Sequence, residues 1–600
     1  MAIAGKKITF QRRLDVAFGL AATVLCFSVA APAQQIVRGT ITGRVTADQG
    51  QIVGFRVAAH NLDRRLWYTV FTKGGQYTVP QALPGRYEVM VQQPGYVSPK
   101  APVQLSPGGS QTADLALKKQ APEELPKLAH PNLDSYSRYA GARTVYVNSM
   151  DEIFPPGPGL DLMKENCTGC HGGGMQTASW GPPNSTKEDF IRGIERMTET
   201  GPGFNSYVLA LGRTPLNKSQ KELIADYLVK NFGVGQPERR LRVDPFVPDE
   251  DVVSKQIYVS YDLPEDLPFV PGGNKIGANM FDGMITSTLP PDKYMHLGST
   301  YISPVDGNIW FSSRSSSSML RLNPADLDSS ERWHNYPIKG DPYVHPDGTT
   351  VDKQGHVYWA ELRTGMLGEL DPATGKQIRH ALPQQVGALH EVIADQNGNI
   401  DFDLIWGAEF GRMDATTRKI HMYPTPTPDN GLYGMALDQH GNLWAGGWQK
   451  GTINKLDIDT QSVTEYRVPN SWGQIRRISV DSKGTVWAGE YNTGILAKLN
   501  PANGEVTEYK IPLSGANCYE TWPDKLDNIW IADPAHSAFV KFDPKTLKFT
   551  FYPVPQPHQS INKIQVASDN TIWFGTRSLP IGLATHFYPN GYTADAPPVP

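Results

Sequence analysis

From about residue 255 to the C-terminus, apolar residues recur in short alternating runs closed by Gly, Asp or Asn, and the whole phrase returns at a fixed interval. Asp438-Gln439-His440-Gly441-Asn442-Leu443-Trp444 matches Asp481-Ser482-Lys483-Gly484-Thr485-Val486-Trp487 and Asp524-Lys525-Leu526-Asp527-Asn528-Ile529-Trp530. The Trp position falls at Tyr358, Asp401, Trp444, Trp487, Trp530 and Trp573, 43 residues apart each time, and Trp310, 48 before Tyr358, completes seven. A second phrase keeps step at Tyr336, His380, Tyr423, Tyr466, Tyr509 and Tyr552. Four short strands per repeat make a propeller blade, so the pattern predicts a seven-bladed β-propeller over 256–600. The run starting at Ile257 has no strands of its own before it, and the C-terminal run stops after a third strand at Tyr588-Pro589. Residues 256–263 are therefore expected to supply the outer strand of the last blade, which removes the free sheet edge of an open array. An insertion in the first blade, about Glu265 to Thr300, carries Met280, Met284 and Met295 and reads either as a disordered loop or as a cap over one face of the ring.

Upstream the period changes twice. Ile41-Thr42-Gly43-Arg44-Val45, Gln76-Tyr77-Thr78-Val79 and Arg86-Tyr87-Glu88-Val89-Met90-Val91 alternate with period two between Gly and Pro, which predicts a small β unit over 36–118. Helical spacing takes over between 150 and 235: Ile153 to Asn166 leads up to Cys167, and Ser219 to Val229 has apolar residues at helical intervals, with Ser219 expected as N-cap and Glu222 three residues on. Residues 119–149 and 236–255 read as linkers. Residues 1–33 read as an export signal, with Lys6, Lys7, Arg12 and Arg13 before an apolar core and Ala31-Pro32-Ala33 at the cleavage site. That core is shorter than the ~20 residues a membrane span needs, so no span is expected after cleavage and the mature chain is expected to be periplasmic or secreted.

Composition narrows the function. Charged residues make up 19% of the 600 and the formal net charge is −4, which excludes a nucleic-acid footprint and a disordered acidic chain. Without the export signal three cysteines remain, too few for a disulfide framework, and Cys518 reads as a buried apolar residue. The other two lie in Cys167-Thr168-Gly169-Cys170-His171, the pattern of covalent haem attachment. Its two thiols add to the vinyl groups of one porphyrin, and His171 offers its imidazole to the iron. The cofactor expected is one haem c, with His171 and Met197 as iron ligands. Met175 and an open distal site remain alternatives.

Three resemblances rest on these residues. Leu83-Pro84-Gly85-Arg86-Tyr87-Glu88-Val89 with Gly95-Tyr96 resembles the carboxypeptidase regulatory-like domain, which implies a transthyretin-like β-sandwich without catalysis. The haem motif with the later Ala225-Asp226-Tyr227-Leu228 helix resembles the class I cytochromes c, which implies an all-α cytochrome c domain at 150–235. Asp-x-x-Gly-Asn-apolar-Trp followed by Lys455-Leu456-Asp457 or Lys498-Leu499-Asn500-Pro501 resembles the streptogramin lyase family, virginiamycin B lyase among them. That resemblance implies a seven-bladed ring and, for members with the activity, elimination by His and Glu residues with a divalent metal, a metal that here rests on the resemblance alone. In register, Glu361, Glu490 and Asp533 lie three residues after the Trp position, and His390, Tyr433, Arg476 and Tyr519 five before the aligned Asp. Glu361, His390, Glu490 and Asp533 are the candidate catalytic residues. The chain is expected to be multidomain, mainly β, and an exported c-type cytochrome passing one electron at a time, with the propeller binding a small organic substrate or a redox partner protein. The alternatives are a lyase on the propeller and a non-catalytic binding or sensor protein.

Overall fold

The computed structural model describes residues 36–121, 144–168, 185–198, 215–264 and 297–599, apart from 245, short gaps at 341–343, 384–388 and 577–582, and 406, 558, 560 and 562. The first 35 residues and nearly all of the Met-containing insertion in the first blade lie outside them. Nine strands, β1 (Gly39–Ala47) to β9 (Leu115–Lys119), form the N-terminal β unit. Its inward positions, among them Ile41, Val57, Tyr68, Val79, Tyr87 and Leu115, make a shared core between two sheets.

The helical stretch divides where prolines require it. Ser149 caps α1 (Met150–Ile153) by accepting from the Glu152 N–H. Pro155-Pro156-Gly157-Pro158 then interrupts the helical stretch between Ile153 and Asn166, and α2 (Leu160–Asn166) starts afresh after Gly159. Gly159 has φ +91, and a Cβ there would lie 2.6 Å from the Leu223 carbonyl oxygen. α3 (Lys187–Thr198) packs on α4 (Lys218–Phe232). The cap of α4 is Asn217 rather than Ser219, because Asn217 and Gln220 satisfy each other's backbone N–H groups reciprocally. Ile153, Phe154, Met163, Ile194, Ile224 and Leu228 form the core of this unit. Two strands fall inside the stretches read as linkers, β10 (Thr144–Val147) and β11 (Glu238–Leu241), which pair in parallel and clamp the unit's two ends together. A last turn, α5 (Glu250–Val253), precedes β12 (Ile257–Asp262).

From β13 (Leu297–Ile302) to β36 (Lys548–Pro553), six antiparallel sheets of four strands follow one another. The seventh holds β37 (Ile564–Val566), β38 (Ile572–Gly575) and β39 (Leu583–Tyr588), and β12 closes it by pairing with β39 in register Ile257 with Tyr588. The repeat motif has a local cause. Asp438 Oδ1 accepts the N–H groups of His440 and Asn442, and Oδ2 accepts the Asn442 amide and the Trp444 indole N–H, so one side chain locks the turn and fixes the Trp. Asp481 and Asp524 repeat the arrangement with Trp487 and Trp530. Where Asp401 takes the Trp position, Arg412 bridges Asp401 and Asp395 in place of the indole.

β12 has a second neighbour. Its far edge pairs antiparallel with β3 (Leu66–Phe71), so blade seven and half of the sandwich form one eight-stranded sheet. Arg56 donates to the Val554 carbonyl, and Asp262 accepts the Trp67 indole N–H at 2.8 Å and lies 3.1 Å from His60 Nε2. The β unit is thus built into the ring's closure. Among the described residues no helix is long and apolar enough to cross a membrane.

Candidate functional site

Two places gather chemistry. The first is the ring axis, where the inner strands of successive blades carry His390, Tyr433 and Arg476 as their second residue, and Tyr519 just precedes its strand. Arg476 lies 3.8 Å from the Tyr491 ring centre, 5.0 Å from those of Trp448 and Tyr519, and 5.3 Å from that of Tyr433. The Tyr433 and Tyr519 hydroxyls are 2.5 Å apart, and the His390 ring sits 3.9 Å from Tyr433. One residue further along each strand an ionic layer follows. Arg477 binds Glu391 at 2.5 Å and Glu520 at 3.3 Å, Lys563 binds Asp347 at 2.6 Å and Glu391 at 3.5 Å, and Arg314 also pairs with Asp347.

Burial sets the protonation here. It holds the His390 imidazole well below its ordinary range, with the charge of Lys563 adding to the effect. The nearest carboxylate oxygens, on Asp347 and Asp403, are 3.7 and 3.8 Å from its nitrogens. Burial also pushes Glu520 up to about 8 and Asp403 well up, the latter helped by Glu391. All of these side chains are buried. The axis is filled by an arginine among four aromatic rings and a layer of ion pairs, so the mixed ring packs on itself.

Of the four expected catalytic residues, only His390 belongs to this cluster. Glu361 is held by Arg379, Nε to Oε1 at 2.8 Å and Nη2 to Oε2 at 2.5 Å, and by the Thr364 hydroxyl. Asp533 is 2.7 Å from His536 Nδ1 and accepts the Asn517 N–H. Glu490 accepts from Asn470 at 3.0 Å and Thr493 at 3.2 Å. No hydrogen bond or ion pair among the described residues joins any two of the four. No group of three or more His, Cys, Asp or Glu among them could hold a metal ion. The ionic layer went unnoticed in the sequence, although its signal was present one position beyond the His390 register, where successive blades read Glu391, Gly434, Arg477 and Glu520.

The second place is the end of α2. Cys167 is its C-cap, half-buried against the core of the helical unit. Thr168 accepts a hydrogen bond from Gln474 at 2.6 Å through its hydroxyl, and its carbonyl lies 3.4 Å from the Asn492 amide. Around it Trp472 stacks on Phe154 with ring centres 5.4 Å apart, donates to Asp151 at 2.8 Å and carries the Lys164 ammonium 3.8 Å from its ring centre. The helical unit is thereby docked on the fifth blade through the residue next to Cys167. Cys170 and His171 lie outside the described residues. Met197 lies in α3, with its side chain outside the description. Cys518 is fully buried, and burial pushes its thiol well up.

Two family signatures match the sequence: the virginiamycin B lyase family over residues 418–582 and the carboxypeptidase regulatory-like domain over 40–118. The chain is therefore a mainly β, multidomain protein with an N-terminal carboxypeptidase regulatory-like domain and a virginiamycin B lyase-like propeller region. No curated protein matches it. Among solved structures it is similar to the selenomethionine-substituted virginiamycin B lyase of Staphylococcus aureus, at 18% identity over 49% of this chain and 94% of that one, with a TM-score of 0.44. A catalytically inactive variant of the S. aureus enzyme with quinupristin gives 18% identity, 49% and 96% coverage and a TM-score of 0.45. A streptogramin B lyase structure gives 20% identity, 50% and 95% coverage and a TM-score of 0.44.

Proposed function

We propose that this is an exported binding or sensor protein whose lyase-like propeller has no lyase activity, and that it carries a covalent haem on the helical unit docked to the ring. One observation carries the binding reading over the lyase reading. Glu361, Glu490 and Asp533 are each engaged by separate neighbours, none joins His390, and the described residues offer no cluster for the divalent metal. Elimination needs a base and an acid converging on one substrate, and these groups do not converge.

A different observation favours the haem. Cys167 ends α2 half-buried against an apolar core, and it opens Cys-x-x-Cys-His. Bound there, haem supplies reversible one-electron chemistry. The chain's part is to hold it: Cys167 and Cys170 as thioethers, His171 and Met197 toward the iron, and Thr168 fixing the segment to Gln474. The partner is then a small organic molecule or a redox protein, and the reading of residues 1–33 as an export signal supports the periplasm or the outside of the cell.

The test uses the exported full-length protein. A reduced-minus-oxidised haem spectrum is expected, to be lost in Cys167→Ala, and quinupristin is expected to stay intact on incubation with or without Mg²⁺. Absence of the spectrum, or its survival in Cys167→Ala, rejects the haem; opening of the quinupristin ring rejects the binding reading.

A further inference from the structure

We propose that the cleft where α2 meets the fourth and fifth blades binds a small organic carboxylate. This rests on the binding reading and gives it a site. The cleft has a volume of about 240 Å³, which suits a molecule of roughly ten heavy atoms, below the usual drug-sized pocket. Thr168 lies in its wall, so the ligand would sit one residue from the start of the haem motif.

Charge selects the anion. Three cations line the cleft, Lys164, Lys450 and Arg467, against two carboxylates, Asp161 and Glu165. Lys450 is only 13% exposed and its nearest carboxylate is Glu165, at 3.5 Å, on a side chain that is itself 57% exposed. Lys164 sits over the Trp472 ring, and Arg467 has the Lys450 carbonyl at 3.5 Å. A carboxylate bridging Lys450 and Arg467 would gain charge-assisted hydrogen bonds at a site shielded on one side.

Calorimetric titration of the mature full-length protein decides this, with gluconate, hexanoate and glucose as probes. Gluconate is expected to bind and glucose not to. Lys450→Gln and Arg467→Gln should each weaken gluconate about tenfold, the loss of one charge-assisted contact. Hexanoate, which also carries a carboxylate, is expected to bind and to weaken in the same two variants, with the urea unfolding midpoint of each unchanged. Lys100→Gln, on the sandwich, should change nothing. No gluconate binding at about 10 mM, or binding in both cleft variants equal to that of the unaltered protein, overturns the proposal. Neither result touches the broader reading, which falls only if the quinupristin ring is opened.

Discussion

One register position holds opposite chemistry in two blades. Glu361 and Glu490 both end the second strand of their blade, and the residue reaching across to them from the fourth strand is Arg379 in one and Glu508 in the other. The first pair is a salt bridge. In the second, burial and then the charge of Glu508 push Glu490 up to about 9 from an ordinary 4.5. A carboxyl raised in the folded state binds more protons than in the unfolded chain, so its contribution is present below 4.5 and is lost as pH climbs toward 9. Glu490→Gln keeps the neutral form at every pH. Urea unfolding should show little change at pH 5 and a gain on the order of 3 kcal/mol at pH 8. Glu508→Arg should likewise flatten the alkaline loss, by restoring the arrangement of the second blade.

At the scale of elements, β12 carries most. It lies between β39 and β3 with a ladder on each side, and Ser260, opposite both Thr585 and Trp67, bonds the Thr585 hydroxyl at 2.9 Å. Ser260→Pro removes a ladder donor from an interior strand and should cost about 3 kcal/mol or more, read as a lower urea midpoint for sandwich and ring together. The sequence made one of these pairings legible and hid the other. The partnership with β39 could be inferred because the repeat count left one blade a strand short. The partnership with β3 could not, since an edge strand of a sandwich has the same alternation whether or not it finds a neighbour. The blade turns at Asp438, Asp481 and Asp524 were legible for a different reason: each is closed by that one Asp within six residues of chain, so the interaction and its sequence signal coincide. The axial ion pairs join residues from different blades, and pattern along the chain does not record them.

Across the whole molecule, the helical unit is held to the ring around one side chain. Trp472 is buried between Phe154, Lys164 and Asp151, and Trp472→Ala should remove about 3–5 kcal/mol of that attachment. The expected result is faster proteolysis within residues 144–241, with the ring's own unfolding midpoint little changed. The eight-stranded sheet also bears on how such a chain comes to be folded. The sandwich is made first, β12 next, and β39 only after the six intervening blades. A ring strand waiting for a partner that far along its own chain would ordinarily leave two open edges, available to other chains. With β3 paired along one side, β12 has a single edge left for β39, so the sandwich halves the exposed ladder for as long as the ring is open.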